Sequence, residues 1–77
     1  MREKIKQIMS AVFDVPVEDI RENSSPDTIE KWDSLNHLNL VVSLEEEFSI
    51  RFSDEEILEM LDFQLIDLII HEKINKG

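Results

Sequence analysis

The chain contains no cysteine, no tyrosine, one glycine and two prolines among its 77 residues. Without cysteine, the sequence has neither disulfides nor thiolate metal ligands. With so little glycine and proline, few positions favour tight turns, which favours helices over a sheet of many strands. We therefore predict one all-α domain over residues 1–77, with a thin hydrophobic core because small domains bury a small share of their surface.

Long apolar runs are also missing. The most apolar tract, residues 65–70, is interrupted by Asp67 and is too short to cross a membrane. The N-terminal residues lack the apolar stretch of a signal peptide. These two features predict a cytoplasmic protein that does not contact membranes.

Basic residues are scarce, with eight Lys and Arg against eighteen Asp and Glu, and the net charge is −10. Such a surface repels nucleic-acid phosphates and anionic lipid headgroups. It attracts basic patches on proteins. We therefore expect a monomer with protein partners and no nucleic-acid ligand. An acidic DNA mimic, which occupies a nucleic-acid site on another protein, stays open as an alternative on charge alone.

Apolar spacing predicts the first helix over residues 2–14. One face carries Ile5, Ile8, Met9 and Val12. Pro16 disfavours helical geometry in the residue before it, and a brief turn with Val17 and Ile20 is expected next. Residues 21–33 are rich in Asn, Ser, Pro and Asp and predict a long loop, anchored by Ile29 and Trp32.

The second helix is predicted over residues 34–48, with Asp33 as its N-cap. Its apolar face is predicted to hold Leu40, Val41, Leu44 and Phe48, assisted by Leu35 and Leu38. A capping box of Ser53 and Glu56 begins a short third helix, and Asp62 caps a last helix from Phe63 to about Ile74. The inward side chains of these two helices are predicted to be Ile57, Met60, Leu61, Leu65, Ile66, Ile69 and Ile70. Lys73 and Lys76 suit the last C-terminus.

Catalytic and metal-binding signals are weak. His37 follows Ser34 by three residues, but a serine–histidine pair also needs an orienting acid and none is indicated. His37 and His71 are interpreted as surface polar residues. An EF-hand loop needs an internal glycine, and the one glycine is Gly77. A protein that is not an enzyme and holds no metal is expected, with a small metal-binding protein as an alternative because of the acidic clusters.

Three motifs occur in order: Asp33-Ser34-Leu35, the LEEEF segment at residues 44–48, and the SDEE segment at residues 53–56. With this spacing, the chain resembles the acyl carrier protein family over essentially its whole length. The resemblance implies a four-helix bundle of the acyl-carrier type, with a long loop between helices 1 and 2 and a short third helix. It also implies a carrier without catalytic activity.

By this resemblance Ser34 carries 4′-phosphopantetheine, attached from coenzyme A by a separate phosphopantetheinyl transferase. The arm holds an acyl group as a thioester and presents it to enzymes of fatty acid, polyketide or related synthesis. Asp33 would act as helix cap and as recognition site for the transferase, and Leu35 would fix the start of the helix in the core. The family's acyl pocket maps onto Leu44, Phe48, Phe52, Ile57, Met60 and Phe63, for which plain core is the preferred interpretation and an acyl pocket the second.

Acyl-loading and acyl-processing enzymes with basic docking patches are the implied partners. The family's acidic positions early in the second helix hold Asn36, His37 and Asn39 here, so docking is predicted at Val42, Glu45 and Glu46. Trp32 is predicted either to pack over the loop or to contact the partner. These departures favour a carrier of one specialised pathway. An unmodified acidic interaction domain with the carrier fold is the main alternative.

Overall fold

The computed structural model describes residues 2–75, which form four α-helices and one 3-10 turn. The elements are α1 (Arg2–Phe13), the 3-10 turn (Val17–Asp19), α2 (Ser34–Phe48), α3 (Asp54–Glu59) and α4 (Phe63–Asn75). The all-helical bundle, the long loop between α1 and α2, and the short third helix are confirmed. The predicted role of Lys76 lies outside the described residues.

The hydrophobic core is built by one face each of α1, α2 and α4. The buried apolar side chains of these helices are Ile5, Met9, Phe13, Leu40, Val41, Leu44, Phe63, Ile66 and Ile70. The connecting segments add Ile20, Ile29, Trp32, Phe52 and Met60. The helical turns of α3 contribute no fully buried residue, so contacts at its two ends must hold it in place.

Three leucines predicted to face inward are exposed instead, namely Leu35 (69%), Leu38 (54%) and Leu61 (61%). Leu35 precedes the buried Leu44 by about two and a half helical turns and therefore lies on the opposite side of α2. The other two lie beside a groove between α2 and α3, which the short α3 leaves uncovered. The prediction that Leu35 fixes the start of α2 in the core is wrong.

Two helices end in left-handed residues that are not glycine. Asp14 and Ser49 both have φ of 55°, and α1 ends at Phe13, one residue earlier than predicted. The backbone N–H groups of Ser49 and Ile50 both donate to the carbonyl of Glu45, that of Ile50 at 3.1 Å, which closes the last helical turn. The geometry normally given to glycine is thus imposed on residues that bear a Cβ.

The long loop is fastened to the N-terminus of α4. The backbone N–H of Phe63 donates to the Ser24 carbonyl at 3.0 Å, and that of Gln64 donates to the Glu22 carbonyl at 3.1 Å. Asp62 Oδ1 accepts from the Leu65 N–H at 2.8 Å, which confirms Asp62 as a cap. The loop therefore satisfies helix donors that would otherwise lack partners.

Polar contacts hold the N-terminus of α3. Ser53 and Glu56 form the predicted capping box, and Lys73 of α4 lies 2.8 Å from Glu56 Oε1. The hydrogen bond from Lys73, with that from the Ser53 backbone N–H, lowers the pKa of Glu56 below its ordinary value of 4.5. Lys73 also lies 5.7 Å from the centre of the Phe52 ring, so one α4 side chain steadies both the helix and the segment before it.

Replacing Ser49 by glycine should stabilise the protein. The substitution removes the strain of a left-handed residue with a Cβ, and part of the gain is offset by the greater freedom of glycine in the unfolded chain. We expect the free energy of unfolding to rise by about 0.5–1 kcal/mol in urea titrations followed by circular dichroism.

Ser43→Gly is the matched control, because Ser43 lies inside α2 with ordinary helical geometry. Glycine in a helix interior costs roughly 0.5–1 kcal/mol relative to alanine and is also less favourable there than serine. The two variants should therefore move in opposite directions. Equal losses of stability for Ser43→Gly and Ser49→Gly would show that the Ser49 conformation carries no relievable strain.

The ion pair between Glu56 and Lys73 predicts a pH-dependent stability. Because the folded-state pKa of Glu56 lies below the unfolded value, its contribution is complete above the unfolded pKa and is lost as pH falls through the folded pKa. Glu56→Gln keeps a capping-box side chain and removes the charge. We expect the variant to be about 0.5–1 kcal/mol less stable at pH 7, with the difference closing below about pH 4.

Glu55→Gln is the control for this titration. Glu55 also lies in the first turn of α3 but is exposed, and it makes none of the ion pairs found among residues 2–75. Urea unfolding of the parent and both variants at several pH values gives the comparison. A loss of unfolding free energy that is the same for both variants, or that does not depend on pH, would contradict the role given to the Lys73 contact.

Candidate functional site

The start of α2 is fixed by Asp33. Its side chain Oδ1 accepts from the backbone N–H of Asn36 at 2.8 Å, and its carbonyl accepts from the N–H of His37 at 2.8 Å. The Asn36 side chain in turn donates to the Lys31 carbonyl at 2.8 Å. The predicted cap is confirmed, and the bonds on both sides of it fix the position of Ser34, the first residue of the helix.

Ser34 is exposed in an environment that suits an anionic group. The first N–H groups of a helix have no partner inside the helix, and the helix dipole is positive at this end. A phosphate linked to the Ser34 hydroxyl would lie beside these donors. The residues present therefore fit a phosphodiester at this serine.

A hydrogen-bonded network lies one helical turn behind Ser34. The Trp32 indole Nε1–H donates to His37 Nδ1 at 2.9 Å, and His37 Nε2 lies 2.9 Å from the Ile57 carbonyl oxygen. Because the indole only donates, His37 Nδ1 must accept. The Nε2–H of His37 therefore donates to the Ile57 carbonyl. A neutral His37 thus connects the long loop, α2 and α3.

Trp32 is buried, with 3% of its surface exposed. Its ring packs on Phe13 of α1 with centroids 4.9 Å apart, and its polar edge binds His37. Of the two predicted alternatives, the structure agrees with packing, although the ring packs against α1 and α2. The 3% exposed surface of Trp32 argues against its predicted contact with partners. His37 is half-buried and lines the groove, and both of its ring nitrogens have partners, which the interpretation as a surface polar residue did not include.

The sequence did contain a signal for this network. Trp32 directly precedes the N-cap, and His37 is the fourth helical residue, which are the two positions that pack together in a hydrophobic staple. Here the pair adds a hydrogen bond to the packing. Removal of His37 would leave the Trp32 N–H without this partner, at about 1–3 kcal/mol for a buried group. The Ile57 carbonyl would keep its bond from the Met60 N–H at 3.4 Å.

A surface groove of about 550 Å³ lies between α2 and α3. Asp33, Ser34 and His37 line it together with mostly apolar side chains. The others are Pro26, Trp32, Leu38, Ile57, Leu58, Met60 and Leu61. Since Leu58 is 76% exposed and Leu61 is 61% exposed, the groove offers apolar surface to solvent next to Ser34.

The six positions predicted for an acyl pocket are divided between core and groove. Ile57 and Met60 line the groove, and Met60 is also 1% exposed in the core. The other four positions do not line it. Leu44, Phe52 and Phe63 are buried in the core, and Phe48 is half-buried against it. These four positions belong to the core or pack against it, in agreement with the interpretation as plain core.

The predicted docking residues on α2 differ in how exposed they are. Val42 is 52% exposed on α2, and Glu46 is exposed. Glu45 is half-buried, and its Oε2 accepts from the backbone N–H of Phe52 at 2.9 Å. Its carboxylate therefore holds the segment between α2 and α3, whereas Val42 and Glu46 are accessible.

The second histidine, His71, contacts Asp67 of its own helix, α4. His71 Nδ1 lies 2.8 Å from the Asp67 carbonyl and 3.1 Å from Asp67 Oδ1, so it binds within its own helix. In residues 2–75, no three His, Asp or Glu side chains converge as metal ligands would. Within the same range, every helix is too short or too polar to cross a bilayer.

Similarity to known proteins agrees with this geometry. The chain is 39% identical to an acyl carrier protein of Buchnera aphidicola subsp. Schizaphis graminum over 56 residues, which are 73% of this chain and 71% of that protein. The solution structure of a holo acyl carrier protein from Geobacter metallireducens superposes with a TM-score of 0.87 at 28% identity, covering 97% of this chain and 86% of the other. No protein-family model matches the sequence.

The relative from Buchnera is similar over most of both chains, and the holo carrier shares the whole helical arrangement. Proteins of this kind are carriers without enzymatic activity, and they bear a covalently attached 4′-phosphopantetheine. The chain belongs to the acyl carrier protein family.

Proposed function

We propose that Ser34 is the attachment residue of 4′-phosphopantetheine and that the protein carries an acyl or related intermediate on it. The supporting observation is the position of Ser34, which is exposed, directly follows the N-cap Asp33 and lies at the apolar groove. The arm supplies a terminal thiol that holds the acyl group as a thioester. The pathways are those of fatty acid, polyketide or related synthesis.

Attachment requires a separate phosphopantetheinyl transferase and coenzyme A. Ser34 Oγ attacks the phosphorus adjoining the pantetheine, and the pyrophosphate bond of coenzyme A breaks. The hydroxyl proton passes to the transferase, and adenosine bisphosphate leaves. Asp33 holds Ser34 at the first position of α2 through its bond to Asn36, so the nucleophile is presented outside the helix in one fixed place.

Partner enzymes with basic patches are proposed to dock along α2. The net charge of −10 attracts such surfaces. Val42 and Glu46 are exposed on this helix and offer an apolar contact beside a charge. Together with the exposed Leu35 (69%), they give a partner a surface that adjoins Ser34.

The first test is the intact mass of the protein after incubation with coenzyme A and a broad-specificity phosphopantetheinyl transferase. We expect one phosphopantetheine adduct on the parent, none on Ser34→Ala, and one on Ser43→Ala, which removes another serine of α2. Circular dichroism establishes that all three are folded. A folded parent without an adduct, also with the transferase of its own cell, would indicate an unmodified interaction domain.

A second test separates the two roles of Asp33. Asp33→Asn keeps a good N-cap but removes the charge, whereas Asp33→Ala loses the cap and about 1 kcal/mol of stability. If the transferase binds the carboxylate, both variants should be loaded at least about 10-fold more slowly, as expected for a lost charge-assisted hydrogen bond. Loading of Asp33→Asn at the parent rate would restrict Asp33 to helix capping.

A further inference from the structure

Arg51 is a basic residue beside the surface of α2 on which partner enzymes are proposed to dock. It lies in the segment between α2 and α3 and is exposed. Together with Val42 and Glu46 it lines a surface depression of about 670 Å³. The other residues that line the depression are Glu45, Ser49 and Ile50. A partner that contacts Val42 and Glu46 therefore also meets Arg51.

The backbone on both sides of Arg51 is held in place. The Ile50 N–H donates to the Glu45 carbonyl at 3.1 Å, and the Phe52 N–H donates to Glu45 Oε2 at 2.9 Å. The Phe52 side chain is also buried in the core. The Arg51 side chain thus extends from a fixed backbone, and a partner does not have to order this segment when it binds.

The charge of Arg51 is not neutralised by an ion pair within residues 2–75. In this range the lysines and arginines that form ion pairs are Arg2, Lys4, Lys31 and Lys73. The carboxylate of Glu45, which lines the same depression, binds the Phe52 N–H. The guanidinium of Arg51 is therefore a positive charge presented to partners within an acidic surface.

Val42, Glu46 and Arg51 differ in chemistry and therefore match different groups on a partner. Glu46 attracts a cation, and Val42, which is 52% exposed, offers an apolar contact. A guanidinium binds a carboxylate through two parallel hydrogen bonds, whereas a cation placed against it is repelled. An enzyme patch that is basic throughout therefore fits Glu46 but not Arg51.

We propose that Arg51 selects among partner enzymes by its charge. It favours an enzyme whose basic patch includes a carboxylate opposite Arg51, and it weakens the binding of an enzyme whose patch is basic throughout. Repulsion of the wrong partner is one of the two ways in which an interface becomes specific. This inference rests on the proposed docking of partners along α2 and does not depend on whether Ser34 is modified.

The test measures, by isothermal titration calorimetry, the affinity for a broad-specificity phosphopantetheinyl transferase whose docking patch is basic throughout. Every protein carries Ser34→Ala, so that binding is measured without loading, and Ser34→Ala alone is the reference. At low salt we expect Arg51→Glu to bind about 3–10-fold more tightly than the reference, because an anion replaces a repelled cation. Arg51→Gln should lie between the two, and the differences should shrink in about 0.5 M NaCl.

Arg21→Glu is the matched control for this charge reversal. Arg21 is also exposed, forms none of the ion pairs found in residues 2–75, and does not line the depression. Because it changes the net charge by the same amount, its effect on the affinity measures general attraction alone. Circular dichroism establishes that all variants are folded.

The preference for a carboxylate is tested on the transferase. Each lysine and arginine of its docking patch is replaced in turn by glutamate. At the position that faces Arg51, the replacement should tighten binding to the reference protein and weaken binding to Arg51→Glu. At the other positions it should weaken binding to both proteins.

Glu46→Gln reports on docking itself and should weaken binding. If it does, but Arg51→Glu gains no more affinity than Arg21→Glu, or no replacement on the transferase shows the reversal, the role of Arg51 is overturned while docking along α2 stands. Unchanged affinity of Glu46→Gln would overturn docking along α2 and this inference with it. The role of Ser34 is judged separately, by the intact mass of the loaded protein.

Discussion

The geometry around Ser34 depends on one imidazole, that of His37. His37 accepts from Trp32 at 2.9 Å and meets the Ile57 carbonyl at 2.9 Å, so one side chain connects the loop before Ser34, the helix that begins with it and the α3 helix. The Trp32 N–H would be costly to leave unpaired, whereas the Ile57 carbonyl also accepts from the Met60 N–H at 3.4 Å. The position of α3 relative to Ser34 therefore depends on this bond as well as on the packing of Ile57 and Met60 against the core.

The ends of α1 and α2 show the effect of the shortage of glycine. Asp14 and Ser49 adopt the left-handed conformation at the ends of α1 and α2, where glycine would cost less. Each is surrounded by compensating bonds: Lys31 lies 3.0 Å from the Asp14 carboxylate, and the N–H of Ile50 reaches the carbonyl of Glu45. The sharp ends of these helices bring the loop and α3 close to the N-terminus of α2.

Local signals in the sequence predicted the helix starts well, because caps act over three residues. Asp33, Ser53 and Asp62 all bond the N–H groups that their spacing indicated. Side-chain directions were less predictable where few neighbours constrain them, as for Leu38 and Leu61 beside a groove that the short α3 leaves open. The role of His37 depends on a carbonyl twenty residues away, a contact that no local pattern specifies.

The bundle thus combines a packed frame with one helix held by polar contacts. α1, α2 and α4 each bury three core side chains, whereas the turns of α3 bury none completely. α3 is held by three polar contacts, from His37, from Lys73 to Glu56, and from Glu45 to the Phe52 N–H. Polar contacts respond to pH and salt more than buried methyl groups do. The position of α3, which forms the wall of the groove opposite Ser34, therefore depends more on pH and salt than that of the other helices. Ser34 itself is fixed on the packed frame of α1, α2 and α4.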